Sequence, residues 1–196
     1  MAVIACGALA QHLAEAIRRQ DWPVDVYPLN PLLHNHPEQI VGEVERLRRE
    51  LASSAARVVV GYADCGTYGA LDRYCIEQGL ERLPGLHCYD LYAGVETMRR
   101  TFEAQPGTYV LTDFLVRSFE RTVVRELGLD RYPELRDDYF GQYTEVVWLA
   151  QHRTAELELL ADRAAQILQL PLRIIDTGIT RLEVALGALV APAGPA

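Results

Sequence analysis

The sequence predicts an α/β protein, a single three-layer domain around a mostly parallel sheet of five to six strands. Three observations carry that expectation. Short β-branched runs such as Val58-Val59-Val60 and Ile174-Ile175 alternate with longer stretches of helical period. Gly, Pro, Asn or Asp punctuates the changes of period. Apolar residues make up 49% and charged residues 23% of 196 positions, which allows a real core in a chain of one-domain length.

Taken in order, Ala2-Val3-Ile4-Ala5 reads as a strand turning at Cys6-Gly7 into a helix to about Arg19, with Leu9, Leu13, Ala16 and Ile17 on one face. Val24 to Tyr27 alternates as a second strand before Pro28 and Pro31 break the chain. Asn35 or His36 then caps a helix with Pro37 at its first position, carrying Ile40, Val41, Val44 and Leu47. The third strand, Arg57 to Tyr62, is the most apolar and is expected at the centre of the sheet. After Ala63-Asp64-Cys65-Gly66-Thr67-Tyr68-Gly69 comes a helix over 70–78.

Leu83 to Asp90 is read as a short fourth strand leading into a helix over 91–104. A fifth strand spans Thr108 to Asp113, followed by a helix to about Leu127. Residues 129–143, rich in Asp, Tyr and Pro, are expected to form a loop or lid. Two helical stretches ending near Leu168 and a last strand, Leu172 to Asp176, complete a domain over 1–186. Residues 187–196 are expected to form a frayed tail.

Composition narrows the partners. A formal charge of −8 leaves no basic run to neutralise phosphates, so no nucleic-acid partner is expected. No apolar stretch reaches the roughly 20 residues that span a bilayer, so no membrane partner is expected either. Met1-Ala2-Val3-Ile4 enters a strand without a basic region before it, so no signal peptide is expected. The expected compartment is the cytoplasm, where thiols stay reduced and clustered cysteines serve as ligands or catalysts. All 19 basic residues are arginine, and the absence of lysine excludes Schiff-base chemistry and the P-loop lysine.

The chemistry concentrates at strand ends. Cys6, Cys65 and Cys88 each fall at or just past an apolar run, beside Gly, Asp or His. In an open α/β sheet, ligands bind beyond the carboxyl ends of the strands, so three sulfurs far apart in sequence can meet there. Helix N-termini favour the thiolate, the form that binds metal or attacks an electrophile. Three cysteines suit zinc, with His34 as a fourth ligand, or an iron–sulfur cluster. Free cysteine is also among the most buried residue types, so packing alone remains open for all three. His36 is read as part of a solvated capping turn, and His87 as a neighbour of Cys88 or a core histidine. Cys75, in mid-helix, is assigned to packing.

Gly66 and Thr67 lie in a glycine-bracketed turn able to cradle an anionic cofactor group through backbone N–H groups. The spacing falls short of G-x-G-x-x-G, and a tight turn alone explains the glycines equally well. Asp64 and Asp113 end strands and are the candidate catalytic carboxylates, with helix capping as the alternative.

Six segments together resemble the bacterial and archaeal domain-of-unknown-function family 1638. They are Ile4-Ala5-Cys6-Gly7-Ala8-Leu9, Leu33-His34-Asn35-His36-Pro37, Gly61-Tyr62-Ala63-Asp64-Cys65-Gly66-Thr67, His87-Cys88-Tyr89, Leu111-Thr112-Asp113-Phe114-Leu115 and Tyr139-Phe140-Gly141-Gln142-Tyr143. The resemblance runs from residue 3 to about 186, with Ala63 where a glycine is often seen. It implies a link to one-carbon metabolism, beside corrinoid-dependent methyltransferases acting on methylated amines. It supplies no catalytic residues.

The leading expectation is therefore a zinc–thiolate protein with Cys6, His34, Cys65 and Cys88 as ligands, acting on a small-molecule substrate. Its implied partner is a corrinoid protein or methyltransferase, and a homo-oligomer is compatible with it. The alternatives are an iron–sulfur centre, a metal-free thiol enzyme acting on a small carboxylate, and a non-catalytic accessory protein.

Overall fold

The computed structural model describes residues 1–191. It is a mixed α/β structure whose six strands form two parallel sheets of three, where one sheet was expected. Contacts divide the chain into two compact units, Met1–Leu91 with the chain from Ile179 onward, and Tyr92–Gly178.

In the first unit, β1 (Ala2–Ala5) lies between β2 (Asp25–Pro28) and β3 (Val58–Gly61). Ile4 pairs with Tyr27 on one side and Val60 on the other. The centre thus belongs to β1, not to the more apolar third run. Parallel strands need crossovers, and the helices supply them. α1 (Ala10–Arg19) joins β1 to β2, and α2 (Ile40–Leu51) follows two short 3₁₀ turns, Pro31–Asn35 and Pro37–Gln39. α1 buries His12, Leu13, Ala16 and Ile17, the stripe its period announces. α3 (Ala70–Glu77) follows β3 and packs on α2.

Residues 83–87, expected as a strand, form no ladder. A single bridge pairs Val60 with Arg82, and then Pro84, without an N–H, and Gly85 at φ +101° turn the chain away. The helix expected over 91–104 is two, α4 (Cys88–Ala93) and α5 (Val95–Ala104), broken at Gly94 where φ is +87°. The C-terminal residues through Val190 are not frayed. They complete α9 (Thr180–Val190), which packs on α1 and β3. The rest of the expected tail, 192–196, lies outside the described residues.

In the second unit, β5 lies between β4 and β6. Their ranges are Thr108–Thr112 (β4), Glu145–Ala150 (β5) and Leu172–Asp176 (β6). β5 corrects the sequence reading, which took this stretch as helical. Five of its six residues are buried, so the run Val146-Val147-Trp148-Leu149-Ala150 shows no alternation to announce a strand. α6 (Asp113–Phe119) passes into a π-helical turn over Glu120–Arg125 in place of one regular helix.

The expected lid holds α7 (Leu135–Phe140), anchored by Phe140 at 4% exposure and edge-on to Tyr109 at 5.3 Å. α8 (Ala155–Leu168) begins at Thr154, whose hydroxyl accepts the N–H of Leu157 at 3.2 Å. No helix among the described residues is long and apolar enough to cross a membrane.

Candidate functional site

Cys6, His34, Cys65 and Cys88 all belong to the first unit, and local geometry draws them together. Cys6 follows β1, and its N–H donates to Gly61 O at 3.0 Å. Gly7 comes next for a steric reason. A Cβ there would sit 2.3 Å from Leu29 O and 2.8 Å from Pro31, so only glycine lets the 3₁₀ turn at Pro31–Asn35 close over the end of β1. That turn carries His34, and Asn30 caps it by accepting the N–H of Leu32 at 3.0 Å.

Cys65 lies past the end of β3 in a loop of unusual backbone. Cys65 at φ +48° and Tyr68 at φ +51° are left-handed non-glycine residues, beside Gly66 at +86° and Gly69 at +80°. The loop is tied to the segment ahead of α4, because Asp64 N–H donates to Gly85 O at 3.1 Å and Cys65 N–H to Leu86 O at 2.8 Å. This pairing brings Cys88, the first residue of α4, to Cys65. Asp90 steadies the approach by accepting the N–H groups of Leu86 at 2.9 Å and His87 at 3.2 Å.

The side chains then meet. His34 Nε2 lies 3.6 Å from Cys6 Sγ. Its Nδ1 is 2.9 Å from Pro31 O, an atom that can only accept, so Nδ1 carries a hydrogen and Nε2 is the nitrogen presented to the sulfurs. The ring stacks on Tyr62, with centroids 5.7 Å apart at 23°.

All three thiols are nearly enclosed, at 0%, 8% and 9% exposure for Cys6, Cys65 and Cys88. A hydrogen bond from Cys88 holds the Cys65 thiol well below its ordinary pKa; burial opposes this and His34 assists. The Cys88 thiol is pushed well above, first by Cys65 and then by burial. Within this coupled pair Cys65 is the sulfur that gives up its proton more readily and Cys88 the one that keeps it. Burial lowers the pKa of His34, but bonds to Cys6 and Cys65 outweigh it and hold the imidazole up to about 11.

The donor set suits zinc in kind, three soft sulfurs and an imidazole. It also suits zinc in spacing at one edge. Bond lengths of about 2.3 Å to sulfur and about 2.0–2.1 Å to nitrogen put two tetrahedral ligands about 3.6 Å apart. Cys6 Sγ and His34 Nε2 stand at that separation. Among the described residues, no group of three or more His, Cys, Asp or Glu side chains is already drawn into ligating geometry. Cys65 and Cys88 meet as hydrogen-bonding partners, and Cys6 meets His34.

The other candidate residues have structural tasks. Asp64 Oδ1 accepts from Thr67 Oγ1 at 2.5 Å and from Gly69 N–H at 3.0 Å, which makes it the organiser of the Cys65 loop. Thr67 Oγ1 also accepts the N–H of Leu71 at 3.3 Å, so its hydroxyl serves the start of α3. Gly66 supplies a left-handed backbone position.

Asp113 lies in the second unit. Its Oδ1 accepts from Trp148 Nε1 at 2.9 Å and Gln151 N–H at 3.0 Å, and its Oδ2 from His152 N–H at 2.7 Å. It anchors the chain after β5. His36 is exposed and faces Glu38 at 3.6 Å, whereas His87, also exposed, stacks on Tyr89 and is not a core histidine. Cys75 packs inside α3, its thiol pushed up to about 11 by burial.

Tyr62 is the residue the sequence reading missed. It is fully buried, its ring stacks on His34, and burial first and then Cys6 and Cys65 push its pKa up. The available signal was its position, three residues before Cys65 at the end of a central-looking run.

A family model described as a protein of unknown function, DUF1638, matches residues 29–186. That span includes His34, Cys65 and Cys88, while Cys6 precedes it. No curated protein and no solved structure matches the chain.

Proposed function

We propose, for a chain that belongs to the DUF1638 family of proteins of unknown function, that Cys6, His34, Cys65 and Cys88 bind one zinc ion. The observation carrying this reading is the His34 ring, fixed through Nδ1 so that Nε2 faces Cys6 Sγ at the spacing of two zinc ligands. Burial adds a physical reason. A thiolate and an imidazolium enclosed together lose solvation that their own attraction offsets poorly. A divalent cation supplies a larger opposing charge and releases the protons that its thiol and imidazole ligands still hold.

Bound zinc would hold sulfur as thiolate and offer a Lewis-acid position when one protein ligand gives way, which suits activation of a small substrate thiol. That chemistry agrees with the one-carbon role implied by the family resemblance, in which the partner is a corrinoid protein or methyltransferase acting with methylated amines. Co-purification with such a partner tests that extension separately.

The direct test is elemental analysis of protein purified without oxygen. About one zinc per chain is expected, and Cys65→Ser should reduce affinity by tenfold or more. A colourless sample separates zinc from an iron–sulfur cluster, which absorbs in the visible. No stoichiometric metal in the wild-type protein, with unchanged behaviour of the single Cys→Ser variants, overturns the reading.

One observation favours a second reading, a metal-free thiol enzyme acting on a small carboxylate. Cys88 and His34, protein groups alone, favour the thiolate form of Cys65 against the cost of its burial. On that reading Cys65 alkylates rapidly in untreated protein. On the zinc reading the sulfurs resist alkylation until a chelator is added.

A further inference from the structure

Tyr62 carries an unmet polar group inside the thiol cluster. Its side chain is 0% exposed, and its hydroxyl has no hydrogen-bond partner among the described residues. A buried hydroxyl left in that state has lost its hydration with nothing in exchange, so the group needs a reason to be phenol and not phenyl. The ring alone is fully accounted for by stacking on His34 at 5.7 Å. The same ring places Tyr62 next to the donor set, since His34, on which it stacks, has Nε2 3.6 Å from Cys6 Sγ, and the sulfurs of Cys6, Cys65 and Cys88 all act on the hydroxyl. The acceptors offered to it there are sulfurs, and a thiol sulfur is a far weaker acceptor than a thiolate.

We propose that Tyr62 is a positioning residue of the metal centre, donating its hydroxyl hydrogen to a cysteine sulfur, Cys6 first, once the bound metal has made that sulfur a thiolate. The inference rests on the zinc reading and deepens it. Deprotonation converts the weak acceptor into an anionic one, and hydrogen bonds to charged acceptors are shorter and roughly twice as strong as neutral ones. The hydroxyl then withdraws charge from the sulfur, holds its orientation and leaves the metal more electrophilic toward a substrate thiol.

The test compares wild-type protein with Tyr62→Phe, which keeps the ring and removes the hydroxyl, using cobalt(II) as the probe ion. In wild-type protein cobalt should give a sulfur-to-metal charge-transfer band. In Tyr62→Phe that band should shift, and cobalt affinity should fall about tenfold, within the range seen when outer hydrogen-bond partners of metal ligands are removed.

The chelator-stripped Tyr62→Phe protein should melt no lower than stripped wild type, since the lost hydroxyl had no partner to lose. Equal bands and equal affinities overturn the proposal. So does a stripped variant destabilised as much as the loaded one, which would make the hydroxyl merely structural. If wild-type protein takes up no cobalt and holds no zinc, the metal reading itself fails, and this inference with it. The wild-type arm alone identifies that outcome.

Discussion

At the scale of single residues, the difference between Asp113 and Cys75 lies in what each side chain already holds. Asp113 receives three donors inside the second unit, from Trp148, Gln151 and His152. Asp113→Ala strips all three at once in a buried place. It should cost about 3–5 kcal/mol, the range for breaking a buried charged group's contacts, and Asp113→Asn should cost distinctly less. Urea unfolding monitored by Trp fluorescence checks both. Equal, small losses would show that the carboxylate does not anchor the chain after β5. Cys75 gives the opposite contrast within the first unit. Its thiol, raised to about 11 by burial, should remain protonated and unlabelled under alkylation at neutral pH. Mass mapping after brief exposure to iodoacetamide reads this directly.

At the scale of elements, the candidate centre depends on three short segments held close by backbone. Gly7 makes the tightest of these approaches, with Leu29 O 2.3 Å from where a Cβ would stand. Gly7→Ala should destabilise by about 1–3 kcal/mol through overpacking and should push the His34 turn off Cys6. Thermal melting combined with zinc content tests the two effects together, and a variant with unchanged melting and unchanged metal would refute this account of Gly7. β5 makes the corresponding point about packing. Trp148, fully buried in the core formed by β4, β5, α6 and α8, should cost about 3–5 kcal/mol when cut to alanine.

At the scale of the whole molecule the net charge is −8, and many of the opposite charges stand as exposed pairs along helices. Arg46 with Glu43 and Glu50 lies on α2, and Arg99 with Glu96 and Glu103 on α5. Pairs of that kind contribute little singly and weaken with salt.

Their pH signature has a definite sign. Glu96 is held down to about 2 by Arg99 and Arg100, and Glu145 below its ordinary 4.5 by Arg173, burial opposing and Thr108 assisting. A carboxylate whose folded pKa is depressed adds stability above its unfolded value, and that stability is lost as pH falls. The protein should therefore lose melting temperature below about pH 4.5 and continue losing it toward pH 2. Arg173→Gln should flatten part of that decline. A melting curve independent of pH over that window would refute the assignment.

What the sequence determined by itself was the α/β class, the positions of most helices, and the candidate donors Cys6, His34, Cys65 and Cys88. These follow from hydrophobic period, turn residues and the chemistry of side chains, all local properties of the chain. The fully buried run of β5 carried no alternation, so pattern alone could not separate strand from helix there. Strand order, the division into two sheets, and the meeting of the sulfurs were decided only by tertiary structure. They depend on pairings between residues distant in sequence, such as Cys65 N–H with Leu86 O and Cys6 N–H with Gly61 O. The buried, unpartnered hydroxyl of Tyr62 belongs to the same class, since a missing partner is a property of surroundings and not of any residue's own chemistry.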